Sequence, residues 1–206
     1  AKKVVDPLSA RGMILLGGDQ PVVLLALDWV GANNGAQDEW KKALAAAVGT
    51  SPDHCAVHCL HQHDAPGVDI TANQRLKENG LDGVMYQETY LKDVMQRTIE
   101  AAQQSLKQAR PVTHVGTGKG EVKQFASNRR ILGPDGKVKI VRFSSSRNLA
   151  AIKAPEGVID PYVRLLSLWD GDQPVVVLSY YATHPQSYYG RGGISCDTVG
   201  LARGLH

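Results

Sequence analysis

Four of the seven histidines of this chain fall within one ten-residue stretch. If residues 56–63 form an extended strand, side chains alternate between its faces, so Cys59, His61 and His63 share one face. Two imidazoles separated by one residue can serve one metal ion, and His-x-His pairs supply zinc ligands in many hydrolases. His61 and His63 also run into a Pro-Gly loop, where functional residues concentrate. The other two histidines are interpreted as surface or packing residues: His54 and His58.

A second polar cluster follows another long apolar strand. His184 stands at the strand exit, followed by the glycine-rich segment 190–193 and by Asp197 at a predicted helix start. This succession predicts a pocket wall. Asp197 is a candidate metal ligand, but an aspartate in this position can equally cap the helix. No Cys-x-x-Cys pair occurs in the sequence, so a closed structural zinc site is not expected.

A third feature is the Ser127–Arg130 segment beside a Gly/Pro turn. Asn128 and Arg129 have the donors needed to clamp a carboxylate or a carbonyl oxygen. Taken alone the pattern is weak, because arginines next to a turn are more often solvated.

The elements that hold these residues are predicted to be strands paired in hairpins and a few helices. Apolar segments around Gly/Pro turns predict two hairpins, made by residues 13–16 with 22–29 and by residues 162–169 with 175–182. Helical periodicity predicts helices over residues 35–48 and 87–108. Further strands are expected at residues 55–60 and 138–143, and a loop that can contain a helical turn at residues 68–84. The segments Gly18–Val23 and Gly171–Val176 share one sequence, which indicates either an old duplication or two turns with good turn residues.

These continuous apolar strands predict an α/β fold of mixed sheets built from hairpins, buried on both faces and flanked by helices. The 206 residues contain 43% hydrophobic and 21% charged residues, which excludes a disordered or collagen-like chain. The net charge of +3 comes from scattered basic residues, which makes no case for nucleic acid. The longest apolar run, residues 22–27, is too short to span a bilayer.

Several motifs together resemble the neutral/alkaline non-lysosomal ceramidases. The segment His61–Gly67 is similar to the family's His-Thr-His-Ser-x-Pro-Gly, and Asn128-Arg129 to its Asn-Arg motif. Ala182–Pro185, followed by Ser195–Gly200, is similar to its second zinc-histidine segment. The opening strands around Ser9–Arg11 and Leu25–Asp28 also fit. The resemblance spans nearly the whole chain, in the family's order.

The resemblance implies a zinc amidase that cleaves the N-acyl bond of ceramide-like, sphingolipid substrates. It implies that His61 and His184 bind zinc, with Asp197 as a tentative further ligand, and that His63 contacts substrate or the attacking water. Arg129 would hold substrate oxygens, with Asn128 and Asp64 also at the substrate. Zinc would polarise the carbonyl and lower the pKa of bound water to about 7.

The sequence departs from the family pattern in ways that affect the expected substrate. Asp64 and Arg130 stand where the family has serines, which favours a more polar substrate than a long-chain ceramide. The family's glutamate and tyrosine zinc ligands have no counterpart, so residues 1–206 are expected to be a single catalytic-domain segment, incomplete at both ends.

Two other functions remain open from the sequence: a non-catalytic module that kept the fold, and a zinc esterase or amidase acting on a small polar substrate. The resemblance implies a secreted or periplasmic protein, whereas the free cysteines favour a reducing compartment. No signal peptide opens the sequence.

Overall fold

The computed structural model describes residues 3–190 and 192–205. Arg191, in the predicted glycine-rich segment, lies outside the described residues, as do both terminal ends. The strands are β1 Lys3–Val4, β2 Ala10–Leu15, β3 Val22–Leu27, β4 Gly31–Asn33, β5 Cys55–Cys59, β6 Gly67–Asp69, β7 His114–Glu121, β8 Arg130–Leu132, β9 Val138–Val141, β10 Tyr162–Asp170, β11 Gln173–Tyr180 and β12 Gly193–Ile194. The helices are α1 Gly35–Val48, α2 Ile70–Glu78, α3 Glu88–Leu106, α4 Leu149–Lys153 and α5 Asp197–Arg203.

The chain divides into two compact units. The first contains the residues up to 109 and those from 185 onward, and the second contains residues 110–184. Strands and helices in both units make an α/β protein, as the sequence predicts. No helix in the described part of the chain has the length and apolar character needed to cross a bilayer.

The first unit is organised around the mixed sheet β2–β3–β5. Strand β3 pairs antiparallel with β2, as the predicted hairpin requires, and parallel with β5. Alternate residues of β3 are buried, and α1 adds a second apolar layer to the same core through Trp40 and Leu44. The helix ends at Gly49, whose φ of 74° is the left-handed C-terminal conformation that glycine adopts without strain. This sheet therefore fixes the ends of β3 and β5, where the polar residues follow.

Residues 68–84 contain more regular structure than the predicted loop with one helical turn, because a strand and a nine-residue helix extend to residue 78. Strand β6 pairs with β4, and helix α2 follows it directly. The Asp69 carboxylate accepts a hydrogen bond from the Ala72 backbone N–H at 2.9 Å. This cap satisfies one of the free donors of the first helical turn, which explains how so polar a segment begins a helix.

The second unit contains the antiparallel sheet β7–β10–β11, the hairpin β8–β9 and the short helix α4. The predicted β10–β11 hairpin is present. The expected burial of both sheet faces is wrong here, because Val115 and Val177 are more than half exposed. An apolar run shows that a residue can be buried, but the packing of layers decides whether it is.

Candidate functional site

The histidine stretch leaves the sheet earlier than expected. Strand β5 ends at Cys59, and His61 has a φ of 69°, in the left-handed region that non-glycine residues rarely adopt. The predicted alternation through residue 63 is therefore wrong. Instead, the backbone N–H groups of Leu60 and His61 donate to the carbonyls of Leu27 and Trp29, both at 2.9 Å. Backbone hydrogen bonds thus hold the segment after β5 against the segment after β3.

A further contact with the segment after β3 determines which nitrogen of the His61 ring carries the proton. Its Nδ1 lies 2.7 Å from the backbone carbonyl oxygen of Val30. A carbonyl can only accept, so Nδ1 carries the proton and a neutral ring keeps its lone pair on Nε2. This arrangement is the usual one for a metal-binding histidine, whose other nitrogen donates to a carbonyl or carboxylate.

The rings of His61 and His63 do come together, although not by strand alternation. Their centroids are 4.9 Å apart at an angle of 87°, and a nitrogen of one ring lies within 4.8 Å of a nitrogen of the other. The ring of Tyr189 packs against His63 at 5.4 Å, and the Gln186 amide lies 3.4 Å from its Nδ1. Gln186 is a site neighbour that sequence reasoning did not single out, whereas Tyr189 belongs to a group of tyrosines expected mostly to pack in this region.

Gln62, between the two histidines, points the opposite way and is fully buried. Its Nε2 donates to Asp28 Oδ1 at 2.7 Å. Asp28 is also fully buried, and it stands directly after the buried strand β3. The sequence signal for this contact was an acid at the end of an apolar strand, although sequence reasoning had assigned no role to either residue.

Asp28 is paired with a residue from the far end of the chain. Arg203 Nη2 donates to both carboxylate oxygens at 2.6 and 2.7 Å. Ser9 adds its backbone N–H and its hydroxyl, each 2.8 Å from Asp28 Oδ2. The buried negative charge is thus compensated by a cation and by directed donors, as a buried ion requires.

Asp64 connects two loops of the first unit. Its Oδ1 accepts from the Gly190 N–H at 3.2 Å, and its backbone carbonyl accepts from the Ser195 N–H at 3.0 Å. These bonds place the segment around Tyr189 near His63. A direct role of Asp64 at a substrate stays a prediction.

Asp197 is buried at the start of α5, and both of its carboxylate oxygens have partners. Oδ1 accepts from the Thr198 N–H at 2.6 Å, and Oδ2 accepts from the Tyr188 N–H at 3.2 Å. Its own N–H donates to Ser195 Oγ at 3.0 Å. The predicted capping role is wrong, because Cys196 stands at the cap position, without a side-chain hydrogen bond, and Asp197 is the first residue of the helix. Metal binding by Asp197 stays a prediction.

In the second unit, Asn128 is held almost entirely by backbone groups. Its N–H donates to the Glu156 carbonyl at 2.7 Å and its Nδ2 to the Val158 carbonyl at 3.0 Å. The Arg142 guanidinium donates to the Asn128 carbonyl at 3.0 Å and to other carbonyls of the same loop. Asn128 therefore shapes the loop that presents Arg129, and its contact with a substrate stays a prediction.

Arg129 contacts the second predicted zinc histidine within this unit. Its Nη2 lies 2.8 Å from His184 Nδ1. A guanidinium can only donate, so Nδ1 is the acceptor and a neutral His184 carries its proton on Nε2. The proton positions on His184 and His61 are therefore opposite, and His184 would have to exchange Arg129 for a metal ion at Nδ1.

The three cysteines are free thiols in this structure. Burial raises the pKa of Cys55, Cys59 and Cys196 above the ordinary thiol value. A raised pKa disfavours the thiolate, which is the form that binds metals.

Neither protein-family models nor curated proteins give a match to this chain. The resemblance to ceramidases therefore stays a hypothesis based on motifs.

Proposed function

We propose that this chain is a zinc-dependent hydrolase that cleaves an N-acyl amide with water, in the manner of neutral ceramidases. The observation that carries the proposal is the His61 ring, which donates from Nδ1 to a backbone carbonyl and so keeps its lone pair on Nε2, the tautomer of a metal-binding histidine. The adjacent ring of His63, in the same unit, would stand beside the ion and contact the attacking water or the substrate. Imidazole nitrogens of this kind suit zinc.

His184 is proposed as a further ligand because it stands at the exit of a predicted apolar strand. The ceramidase-like segment Ala182–Pro185 also supports this assignment. Binding would require His184 Nδ1 to give up Arg129. We keep Asp197 as the weakest candidate, since its oxygens already accept hydrogen bonds.

A bound zinc ion would supply a Lewis acid and would lower the pKa of a coordinated water. The chain's own residues would handle the substrate. Arg129, released from His184, would donate to the oxygen that becomes negative when the amide carbonyl is attacked. A histidine such as His63 would transfer a proton to the departing amine nitrogen.

The charged residues of this region bear on the substrate class. Asp64 and Arg130, where ceramidases have serines, favour a polar N-acyl substrate over a long-chain lipid. This observation supports a zinc esterase or amidase on a small polar substrate as the second candidate. The two candidates differ in the acyl chain length at which turnover is highest.

Metal analysis of the purified chain tests the zinc site. We expect the wild type to bind one zinc ion and His61→Ala to lose it. The matched control is His58→Ala, which removes an exposed histidine three positions earlier, on β5. Equal zinc content in the wild type and His61→Ala would refute the site.

Turnover of N-acyl substrates of increasing chain length tests the reaction. Arg129→Lys should reduce turnover of a cleaved substrate, because the charge is kept but the planar fork is lost. Zinc binding without hydrolysis of any acyl amide or ester would instead identify a non-catalytic metal-binding module.

A further inference from the structure

We infer that Gln62 and Asp28, anchored by Arg203, are positioning residues that hold the His61 ring in its metal-binding orientation. This inference rests on the proposed function only in assigning the ring's partner as zinc. The hydrogen-bond network itself lies entirely within the first unit.

The network begins with a carboxylate that cannot move freely. Asp28 is fully buried and receives donors from Ser9, Gln62 and Arg203. Three of these four residues are widely separated in sequence from the histidine loop, so their common contact is a product of the fold. The Arg203 side chain is 21% exposed, and it closes the network on the solvent side.

The next step connects this carboxylate to the His61 ring. Gln62 follows His61 directly, and Asp28 precedes Val30, the His61 acceptor, by two residues. The Gln62–Asp28 bond therefore fixes one loop against the other beside the His61–Val30 bond. The backbone bond from the His61 N–H to Trp29 completes the alignment. If the Gln62 bond were lost, the ring could turn away from the Val30 carbonyl and its proton could move to Nε2.

This polar network stabilises the core less than apolar side chains of similar volume would. Gln62 Oε1 and Arg203 Nε are buried, and the structure gives neither atom a hydrogen-bond partner. Unsatisfied buried polar atoms cost stability, and apolar side chains of similar volume often replace buried ions without loss. Its position beside a strained histidine accords with a role in orienting the ring.

The experiment compares Gln62→Met with Gln96→Met. Both substitutions replace an amide that donates to a carboxylate, but the Gln96 bond to Glu100 lies on the exposed face of α3. The first readout is the protonation pattern of the His61 ring, from long-range ¹H–¹⁵N spectra of the metal-free chain, assigned with His61→Ala. The second readout is zinc affinity, measured by competition with a chromophoric chelator.

We expect the wild type and Gln96→Met to hold His61 as the Nδ1–H form alone, and Gln62→Met to give a mixture of both forms. Zinc affinity should fall by about 10–100-fold in Gln62→Met, as for other residues that orient a metal ligand. If the methionine variant does not fold, Gln62→Asn, which keeps the amide but shortens its reach, should show the same changes.

An unchanged Nδ1–H form with wild-type affinity in the folded Gln62 variant would overturn the inference. If no variant binds zinc but Gln62→Met still mixes the two ring forms, the positioning role stands and the proposed zinc function fails. The two readouts therefore separate the failure of one idea from the failure of the other.

Discussion

At the scale of single residues, the backbone conformation of His61 allows its effect on stability to be measured separately from its role in zinc binding. A φ of 69° costs an ordinary L-residue about 1–2 kcal/mol, whereas glycine adopts it freely. We therefore expect His61→Gly to be more stable than His61→Ala by about 1 kcal/mol in urea unfolding, while both lose zinc. The matched pair His58→Gly and His58→Ala, in strand β5, should show the opposite order, because glycine weakens a strand. The same order at both positions would argue against strain at His61.

Cys55 offers a second residue-scale test, since burial raises the pKa of its thiol and the nearby Lys41 partly lowers it. Only the thiolate reacts with iodoacetamide. The midpoint of the rate–pH profile of Cys55 should therefore lie at a higher pH than that of free cysteine. Lys41→Met removes the stabilising cation, raises the pKa further and should slow alkylation at a given pH. Lys42→Met, which removes an exposed partner of Glu39, should leave the rate unchanged. Faster labelling of Lys41→Met would contradict the assigned cause.

At the scale of elements, the pairing of β4 with β6 depends on the absence of a side chain at Gly67. A Cβ there would lie 2.7 Å from Val30 Cγ1, and Val30 carries the carbonyl that accepts from His61. Gly67→Ala should therefore destabilise the chain by about 1–3 kcal/mol and disturb the His61 ring. Adding Val30→Ala removes the clashing methyl group. The double variant should recover part of the lost stability, measured by thermal unfolding, and part of the Nδ1–H form of His61, measured from the ring spectra.

Gly18→Ala is the control for the Gly67 experiment. A Cβ at Gly18 meets its nearest atom only at 3.9 Å, so the substitution should be nearly neutral. If Gly67→Ala destabilises the chain no more than Gly18→Ala does, the close approach of Val30 is not the reason why residue 67 has to be a glycine.

At the scale of the whole molecule, the Asp28–Arg203 pair joins residues 175 positions apart. Removing one partner leaves a buried charge uncompensated, which costs about 3 kcal/mol when the other group is as buried as Asp28. We expect Arg203→Met to lose about this much in urea unfolding. Arg97→Met, which breaks an exposed pair with Asp93 on α3, should lose less than about 1 kcal/mol.

A double-mutant cycle checks that the Arg203→Met effect comes from the pair itself. Asp28→Asn combined with Arg203→Met should cost clearly less than the sum of the single changes, because the second substitution removes a group already left without its partner. Additive losses would show that the two side chains contribute independently.

The sequence alone determined the local elements of the fold. Apolar runs around Gly/Pro turns predicted both long hairpins, and helical periodicity with Gly49 as a stop predicted α1 to the residue. These features depend on contacts between near neighbours, which one sequence contains in full. It also led to His61 and His63 as neighbouring rings, although for the wrong geometric reason.

Only the tertiary structure decided which residues hold the site in place. The left-handed His61, the proton on its Nδ1 and the buried Asp28–Gln62–Arg203 network depend on segments that are distant in sequence and meet through the sheet. A carboxylate at a strand end, an isolated glutamine and an arginine near a helix end carry no mutual signal in one sequence. Their partnership arises because burying Asp28 in an apolar core is tolerable only where the fold brings a cation and directed donors to it.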